Sequence, residues 1–175
     1  MLSTPPLIPS IRILHIDDSP DDREIVKLSL EKLDTEMYIV STASPTESLR
    51  LMGEQQIDCI VSDYSVPEMN GIELCRRIRE TSDIPFIMYT GRGSEEVASI
   101  AFEAGADDHL RKEPGPGHYR VLVKRIRQAV EKHWMEGPYR NVLENCRDGV
   151  IITQGTKFVY ANQATADFVG VSSPD

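Results

Sequence analysis

The stretch DCIVSDYSVPEMNG, Asp58 to Gly71, decides how the chain is read. Its residues Cys59-Ile60-Val61-Ser62 are apolar or small without alternation, as in a strand buried on both faces. The run meets a lone carboxylate at Asp63, then Pro67 and the pair Asn70-Gly71, which mark a sharp turn. A strand that ends this way has two readings. It is an ordinary strand end, or it holds a nucleophile or metal ligand at the edge of a sheet.

Outward from this stretch, short apolar runs alternate with helical patterns. Strands are predicted over Ile11–Ile16, Met37–Thr42, Ile57–Ser62, Ile84–Tyr89 and Asp108–Arg111. Pro85 fits only near the start of the fourth. Ser19-Pro20-Asp21-Asp22 and Ser44-Pro45-Thr46-Glu47 read as helix starts, each with a serine cap, proline in the first turn and an acid at the third position. The second helix ends at Gly53. Further helices are predicted over Gly71–Glu80, from a Ser94 cap to Ala104, and over Tyr119–Met135. Five strand–helix repeats imply an α/β fold, with a doubly wound parallel sheet covered by helices on both faces.

In such sheets the site lies beyond the carboxyl ends of the strands. Strand one ends in Asp17-Asp18, strand three in Asp63, strand four in Thr90-Gly91 and strand five at Lys112. Adjacent carboxylates repel unless a cation lies between them, and a hard divalent ion such as Mg²⁺ takes oxygen ligands. Thr90 and Lys112 then suit an anion opposite the metal. Metal, carboxylate, hydroxyl and ammonium together suit a phosphoryl group transferred to an aspartate oxygen. Any one of these residues alone is more often structural; four strand ends that each deliver a suitable group argue for a site.

Bulk composition narrows the classes. A hydrophobic share of 40% supports a core, and a net charge of −9 argues against nonspecific binding to nucleic acid or anionic membrane. The three cysteines, Cys59, Cys75 and Cys146, show no zinc spacing, and the first two sit in apolar settings as reduced thiols. The N-terminal MLSTPPLIPS lacks a basic n-region and a long apolar run, and no stretch has the length of a membrane span. A cytoplasmic chain is expected. His15, inside strand one, reads as a satisfied core residue, and GRGSEE at Gly91–Glu96 is too weak a pattern for a phosphate loop.

With Ile16-Asp17-Asp18, SDYSVPEMNG at Ser62–Gly71, MYTG at Met88–Gly91 and GADDHLRK at Gly105–Lys112, the chain to about Met135 resembles the response-regulator receiver domains of two-component signalling. The resemblance implies a flavodoxin-like strand order 2-1-3-4-5. It implies that Asp63 is the phosphoacceptor, that Asp17, Asp18, Asp63 and the Ser65 carbonyl bind Mg²⁺, and that Thr90 and Lys112 contact the phosphoryl group. The implied partner is a histidine kinase or phosphotransfer protein presenting phosphohistidine. The switching surface would be the fourth helix, fifth strand and fifth helix, with Thr90 and His109 as switch residues. A homodimer through that surface or through the C-terminal segment is a further expectation. Arg120, Lys124 and Arg127 share one helical face, either solvated or paired with Glu95, Glu103 or Asp107 of a second copy.

Two residues depart from the family pattern. The family usually has proline directly after the lysine, whereas here the order is Lys112-Glu113-Pro114, which disfavours a cis bond after the lysine. His109 stands where the family often has an aromatic residue, and reads as a partly exposed polar substitute or a rotating switch.

Gly137-Pro138 forms a linker after a receiver domain at 11–136, which a tail at 1–10 precedes. Residues 139–175, with DGVIIT and FVYANQATADFVG, resemble the opening of a PAS sensor domain. They predict a short helix at Tyr139–Asn145, a hairpin of Gly149–Thr153 and Lys157–Ala161, and a helix from Asn162 to Val169: an incomplete α+β fragment of a longer protein, beyond which a kinase domain is one expectation. Two rivals share an aspartyl phosphate or the fold. A haloacid-dehalogenase-type phosphatase needs an aspartate where Ser65 stands, and a flavin carrier would not place Asp17-Asp18 against phosphate. A third rival, a receiver-like interaction module that is never phosphorylated, stays open.

Overall fold

The computed structural model describes residues 10–91, 95–136, 143, 145–154 and 157–169. By its internal contacts the chain divides into two compact units, Met1–Val130 and Glu131–Asp175. The division falls inside the fifth helix, whose last buried residue is Val130. Ser94, the expected cap of the fourth helix, and most of the helix expected at Tyr139–Asn145 lie outside the described residues.

The first unit carries β1 (Ile11–Ile16), α1 (Pro20–Leu33), β2 (Met37–Thr42), α2 (Pro45–Glu54), β3 (Cys59–Ser62), α3 (Gly71–Arg79), β4 (Phe86–Thr90), α4 (Glu95–Glu103), β5 (Asp108–Arg111) and α5 (Gly117–Glu136). The five strands form one parallel sheet in the order β2-β1-β3-β4-β5. Register lines up the strand ends: Ile16 pairs with Ser62, Ser62 with Met88, and Met88 with His109. This alignment brings the residues that follow β1, β3 and β4 to one rim.

Local chemistry explains where the elements begin. Ser19 and Ser44 accept from the backbone amides of Asp22 and Glu47, and each helix has proline in its first turn. β3 starts at Cys59, later than the expected Ile57, because Asp58 spends its carboxylate on the amide of Arg12 at 2.8 Å. β4 starts at Phe86, since Pro85 has no N–H to donate; its carbonyl still accepts from Ile60. α2 runs one residue past Gly53, where Arg50 bridges Glu47 and Glu54 across successive turns.

One face of the sheet packs Leu14, Ile16, Ile60, Phe86 and Met88 with Ile72, Leu74, Cys75 and Ile78 of α3 and with residues of α2 and α4. Right-handed crossovers put α1 on the other face. α5 shares the α1 side, and Arg127 of α5 donates to the Asp34 carboxylate at the C-terminal cap of α1, at 2.5 and 2.7 Å. Arg127 is therefore paired within the chain, an outcome that neither the solvated face nor the second copy considered from its helical spacing included. Arg120 and Lys124 remain exposed, while Arg125 lies 3.4 Å from Asp108. At the far end of the sheet Arg79 ties the turn leading into β4 to the turn leading into β5. It donates to the carbonyls of Ile84, Ser82 and Gly105 and to the Asp107 carboxylate.

In the second unit β6 (Ile151–Gln154) and β7 (Lys157–Ala161) form an antiparallel pair followed by α6 (Gln163–Val169). Asn162, expected as the first helical residue, is instead the cap of α6. Its carbonyl oxygen accepts from the amides of Val150 and Thr165, and its amide donates to the carbonyls of Leu143 and Asp148. Its side chain is fully buried and adds acceptors and donors to backbone groups on both sides of the β6–β7 pair.

Two predictions follow from these polar anchors. Arg127→Ala is expected to cost roughly 1–3 kcal/mol in denaturant unfolding near pH 7, as for a hydrogen-bonded, partly buried charge. The Arg127 hydrogen bond holds the Asp34 carboxyl below its usual range. Its contribution is therefore present above the unfolded carboxylate pKa and is lost as pH falls through the depressed folded one. The gap between wild type and variant should close in acid; a gap that widens there would contradict the assignment. Asn162→Ala should sharply accelerate hydrogen exchange at the Val150 and Thr165 amides, with Asn162→Asp intermediate because it keeps only the acceptor.

Candidate functional site

The parallel ladder continues one residue beyond the strands. The Asp17 amide donates to Thr42 carbonyl oxygen at 3.1 Å and the Asp63 amide to that of Ile16 at 2.8 Å. Both aspartates are thereby fixed at the same level of the rim. Arg23 of α1 donates to the carbonyls of Asp17 at 2.6 Å and Asp18 at 3.1 Å, which pins the backbone between them. Carboxylate oxygens of Asp17, Asp18 and Asp63 all lie within 4.8 Å of one another. Asp17 is buried, Asp18 exposed and Asp63 intermediate.

Lys112 follows β5, and its amide donates to the Thr90 carbonyl at 3.0 Å. Its Nζ donates to Asp17 Oδ2 at 2.5 Å, Asp22 Oδ2 at 2.8 Å and Asp63 Oδ2 at 3.1 Å. The Tyr89 ring lies 5.7 Å from the same nitrogen, within cation–π range. The changed order after Lys112 does not keep it from the site: no described peptide bond is cis, and Gly115 absorbs the loop's turn at a φ of 89°. Burial works against the ammonium, yet the hydrogen bonds to Asp17 and Asp22 outweigh it and hold Lys112 above the ordinary lysine range. Burial pushes the Asp17 carboxyl up, with the Lys112 hydrogen bond opposing.

His15 departs from expectation. It is fully buried, as predicted, but neither ring nitrogen has a hydrogen-bond partner among the described residues. Its Nε2 stands 3.8 Å from Asp17 Oδ2. Burial, reinforced by the Lys112 charge, lowers its pKa to about 3, so the ring is neutral at physiological pH.

The loop after β3 answers to four constraints. The Ser65 amide points to Asp63 Oδ1 at 3.4 Å. Glu68 adopts a φ of 72°, unusual for a side chain of its size, and its carboxylate accepts from the hydroxyls of Ser44, at 2.7 Å, and Thr46. Asn70 and Glu73 form a reciprocal capping box at the start of α3. Gly71 donates to the Tyr64 carbonyl, and a Cβ there would overlap the Asp63 carbonyl oxygen. The Asn-Gly pair thus serves a close approach of α3 to the strand end that bears Asp63.

Thr90 ends β4 with 1% of its surface exposed. His109 sits in β5 opposite Met88 with intermediate burial; its Nε2 is shut from solvent and has no described hydrogen-bond partner. The structure therefore brings Asp17, Asp18, Asp63 and Lys112 into one cluster and sets Thr90 and Ser65 on adjoining segments. Sequence reasoning missed Asp22, Arg23 and Glu68. For Asp22 a signal existed: the third residue of a helix that opens at a strand's carboxyl end lies beside the rim.

Comparison with known proteins agrees with this geometry. The family model for the response regulator receiver domain matches residues 13–127, and a PAS domain model matches residues 139–175. The chain is 38% identical over 126 residues to the transcriptional regulatory protein CpxR of Klebsiella pneumoniae, covering 71% of this chain and 52% of that protein. It is 35% identical over 125 residues to the transcriptional regulatory protein AfsQ1 of Streptomyces coelicolor, covering 71% and 52% respectively. The chain thus spans about half the length of these curated relatives. A crystal structure of a CheY-like receiver domain protein from Methanospirillum hungatei superposes with a TM-score of 0.64 at 26% identity, over 73% of this chain and 98% of the other. A receiver domain from Clostridium thermocellum gives 0.63 at 27% identity, over 71% and 98%. The chain belongs to the response regulator receiver domain family of two-component systems. Among the described residues, no helix is long and apolar enough to cross a membrane.

Gly71→Ala is expected to destabilise the first unit by roughly 1–3 kcal/mol, because the added methyl meets backbone and not a mobile side chain. Thermal or denaturant unfolding checks it. Gly53→Ala, with open space around its Cβ position, should not destabilise.

Proposed function

We propose that this chain accepts a phosphoryl group on Asp63 from the phosphohistidine of a histidine kinase or phosphotransfer protein, with Mg²⁺ as cofactor. The observation that carries the reading is the shared cluster: three carboxylates within 4.8 Å and one ammonium bonded to two of them. Asp17, Asp18 and Asp63, with the Ser65 carbonyl, are the oxygen ligands suited to a small hard cation. Bound there, Mg²⁺ supplies positive charge to the transferring phosphoryl oxygens.

An Asp63 carboxylate oxygen attacks phosphorus in line. The new O–P bond forms as the P–N bond of phosphohistidine breaks, and its electron pair returns to the partner's imidazole. Lys112 neutralises charge on the phosphoryl oxygens, and the Thr90 hydroxyl donates to one of them. The product carries roughly −1.5 to −2 charges where Asp63 carried one. Thr90 and Lys112 follow that charge, and both are joined to β4–α4 and β5–α5 through their backbones. The α4-β5-α5 surface, with His109 on β5, is the surface whose population of states changes. We assign the same surface, or the C-terminal segment, to homodimer contacts, and place the chain in the cytoplasm within a longer receiver–PAS protein.

Incubation with Mg²⁺ and acetyl phosphate should add one phosphate by intact mass, and Asp63→Asn should abolish it. Absence of the adduct in the wild type, with a competent kinase also present, would return the chain to a non-phosphorylated interaction module. An adduct that survives Asp63→Asn would move the acceptor elsewhere.

A further inference from the structure

We infer that Asp22 is a positioning residue for Lys112: it holds the ammonium at the α1 side of the rim and is the partner released when a phosphoryl group occupies Asp63. The inference rests on the phosphoacceptor reading above and concerns what sets the affinity of that site.

An ammonium has three N–H donors. In the resting protein all three are committed, to Asp17, Asp22 and Asp63. A phosphoryl oxygen attached to Asp63 needs one of them, so a bond must break or be redirected. Asp17 is the costly one to give up. Its side chain is wholly buried; Oδ1 keeps the Ser19 amide at 2.9 Å, but for Oδ2, the oxygen that Lys112 holds, the neutral His15 ring stands at 3.8 Å, beyond a hydrogen bond. In the metal-free resting protein, an abandoned Oδ2 would be a buried charged oxygen short of a hydrogen-bond donor. The bond to Asp63 is not lost but redirected, since the phosphoryl group grows from that carboxylate.

Asp22 is the remaining partner and the cheapest to release. Its side chain is 44% exposed, so water can replace the ammonium. It also lies in the first turn of α1, where the unpaired amides of the helix favour a carboxylate with or without a cation. Asp22 therefore competes with the phosphoryl group for one donor of Lys112. Removing the competitor should strengthen binding of any phosphoryl mimic, and should leave the metal-facing acids in place.

The test uses the whole chain with Mg²⁺ and beryllofluoride, a phosphoryl mimic, followed by fluorine NMR titration. Asp22→Asn and Asp22→Ala are expected to bind beryllofluoride about fivefold more tightly than wild type, the scale of one exposed ion pair. Asp21→Asn removes the same charge from the same helix turn and should leave affinity unchanged. Nitrogen NMR of the Lys112 ammonium supplies the second reading: its signal should shift in the resting Asp22 variants and not in Asp21→Asn. Equal tightening in Asp21→Asn would reduce Asp22 to a bulk charge and overturn the inference. Unchanged or weaker binding in both Asp22 variants would also overturn it. Failure of the wild type to bind beryllofluoride would overturn the phosphoacceptor reading itself, and this inference with it.

Discussion

Three carboxylates crowd one end of a parallel sheet, and a single ammonium keeps them there. Asp17, Asp22 and Asp63 each bond to Lys112 Nζ, which arrives from the far strand of the order β2-β1-β3-β4-β5. Without a cation, the approach of Asp17 to Asp63 would be repulsive, and Asp17 has no exposed surface through which water could relieve it. The rim is therefore held by charge at its top and by the apolar core beneath. One ammonium thus balances several acids at once, so a change of charge on any one of them alters its bonds to the others.

The scaffold meets this demand with backbone, not with side-chain reach. Ladder bonds carried one residue past β1 and β3 set the height of Asp17 and Asp63, and Arg23 ties the two carbonyls on either side of the Asp17–Asp18 peptide. Glu68 holds a left-handed backbone in the loop after β3, anchored by two hydroxyls at the start of α2. Gly71 lets α3 begin against the Asp63 carbonyl. Each device lies on a turn or strand end, and together they restrict the segment that carries Asp63. Among the described residues, neither ring nitrogen of His15 nor Nε2 of His109 has a hydrogen-bond partner, and these residues lie on β1 and β5, the strands that lead into Asp17 and Lys112. Polar atoms left unsatisfied inside a core are costly, and such costs concentrate near functional sites.

Much of this was legible in the residues. Apolar runs of strand length, serine–proline–acid helix starts and the regular alternation of the two implied a parallel sheet with its site at the strand ends. β1, β2, β5 and β7 begin and end where the pattern placed them. The shifts elsewhere have local causes: Asp58 caps a ladder bond with its side chain, Pro85 cannot donate, and Asn162 caps α6 without joining it. Helical spacing alone could not say that Arg127 turns inward to Asp34, since the choice between solvent and a carboxylate depends on how α5 lies beside α1.

By itself, the sequence determined the class of fold and the identity of the acids and the lysine, because periodicity and strand-end chemistry are local properties of the chain. Tertiary structure alone decided how they are shared. Residues 17 and 22, 63 and 112 meet only because sheet order and register superimpose three distant segments. That meeting gave Lys112 a third partner in Asp22, set His15 Nε2 3.8 Å from Asp17, and made Gly71 a matter of contact with Asp63. These are consequences of distance in space, which no spacing along the chain encodes.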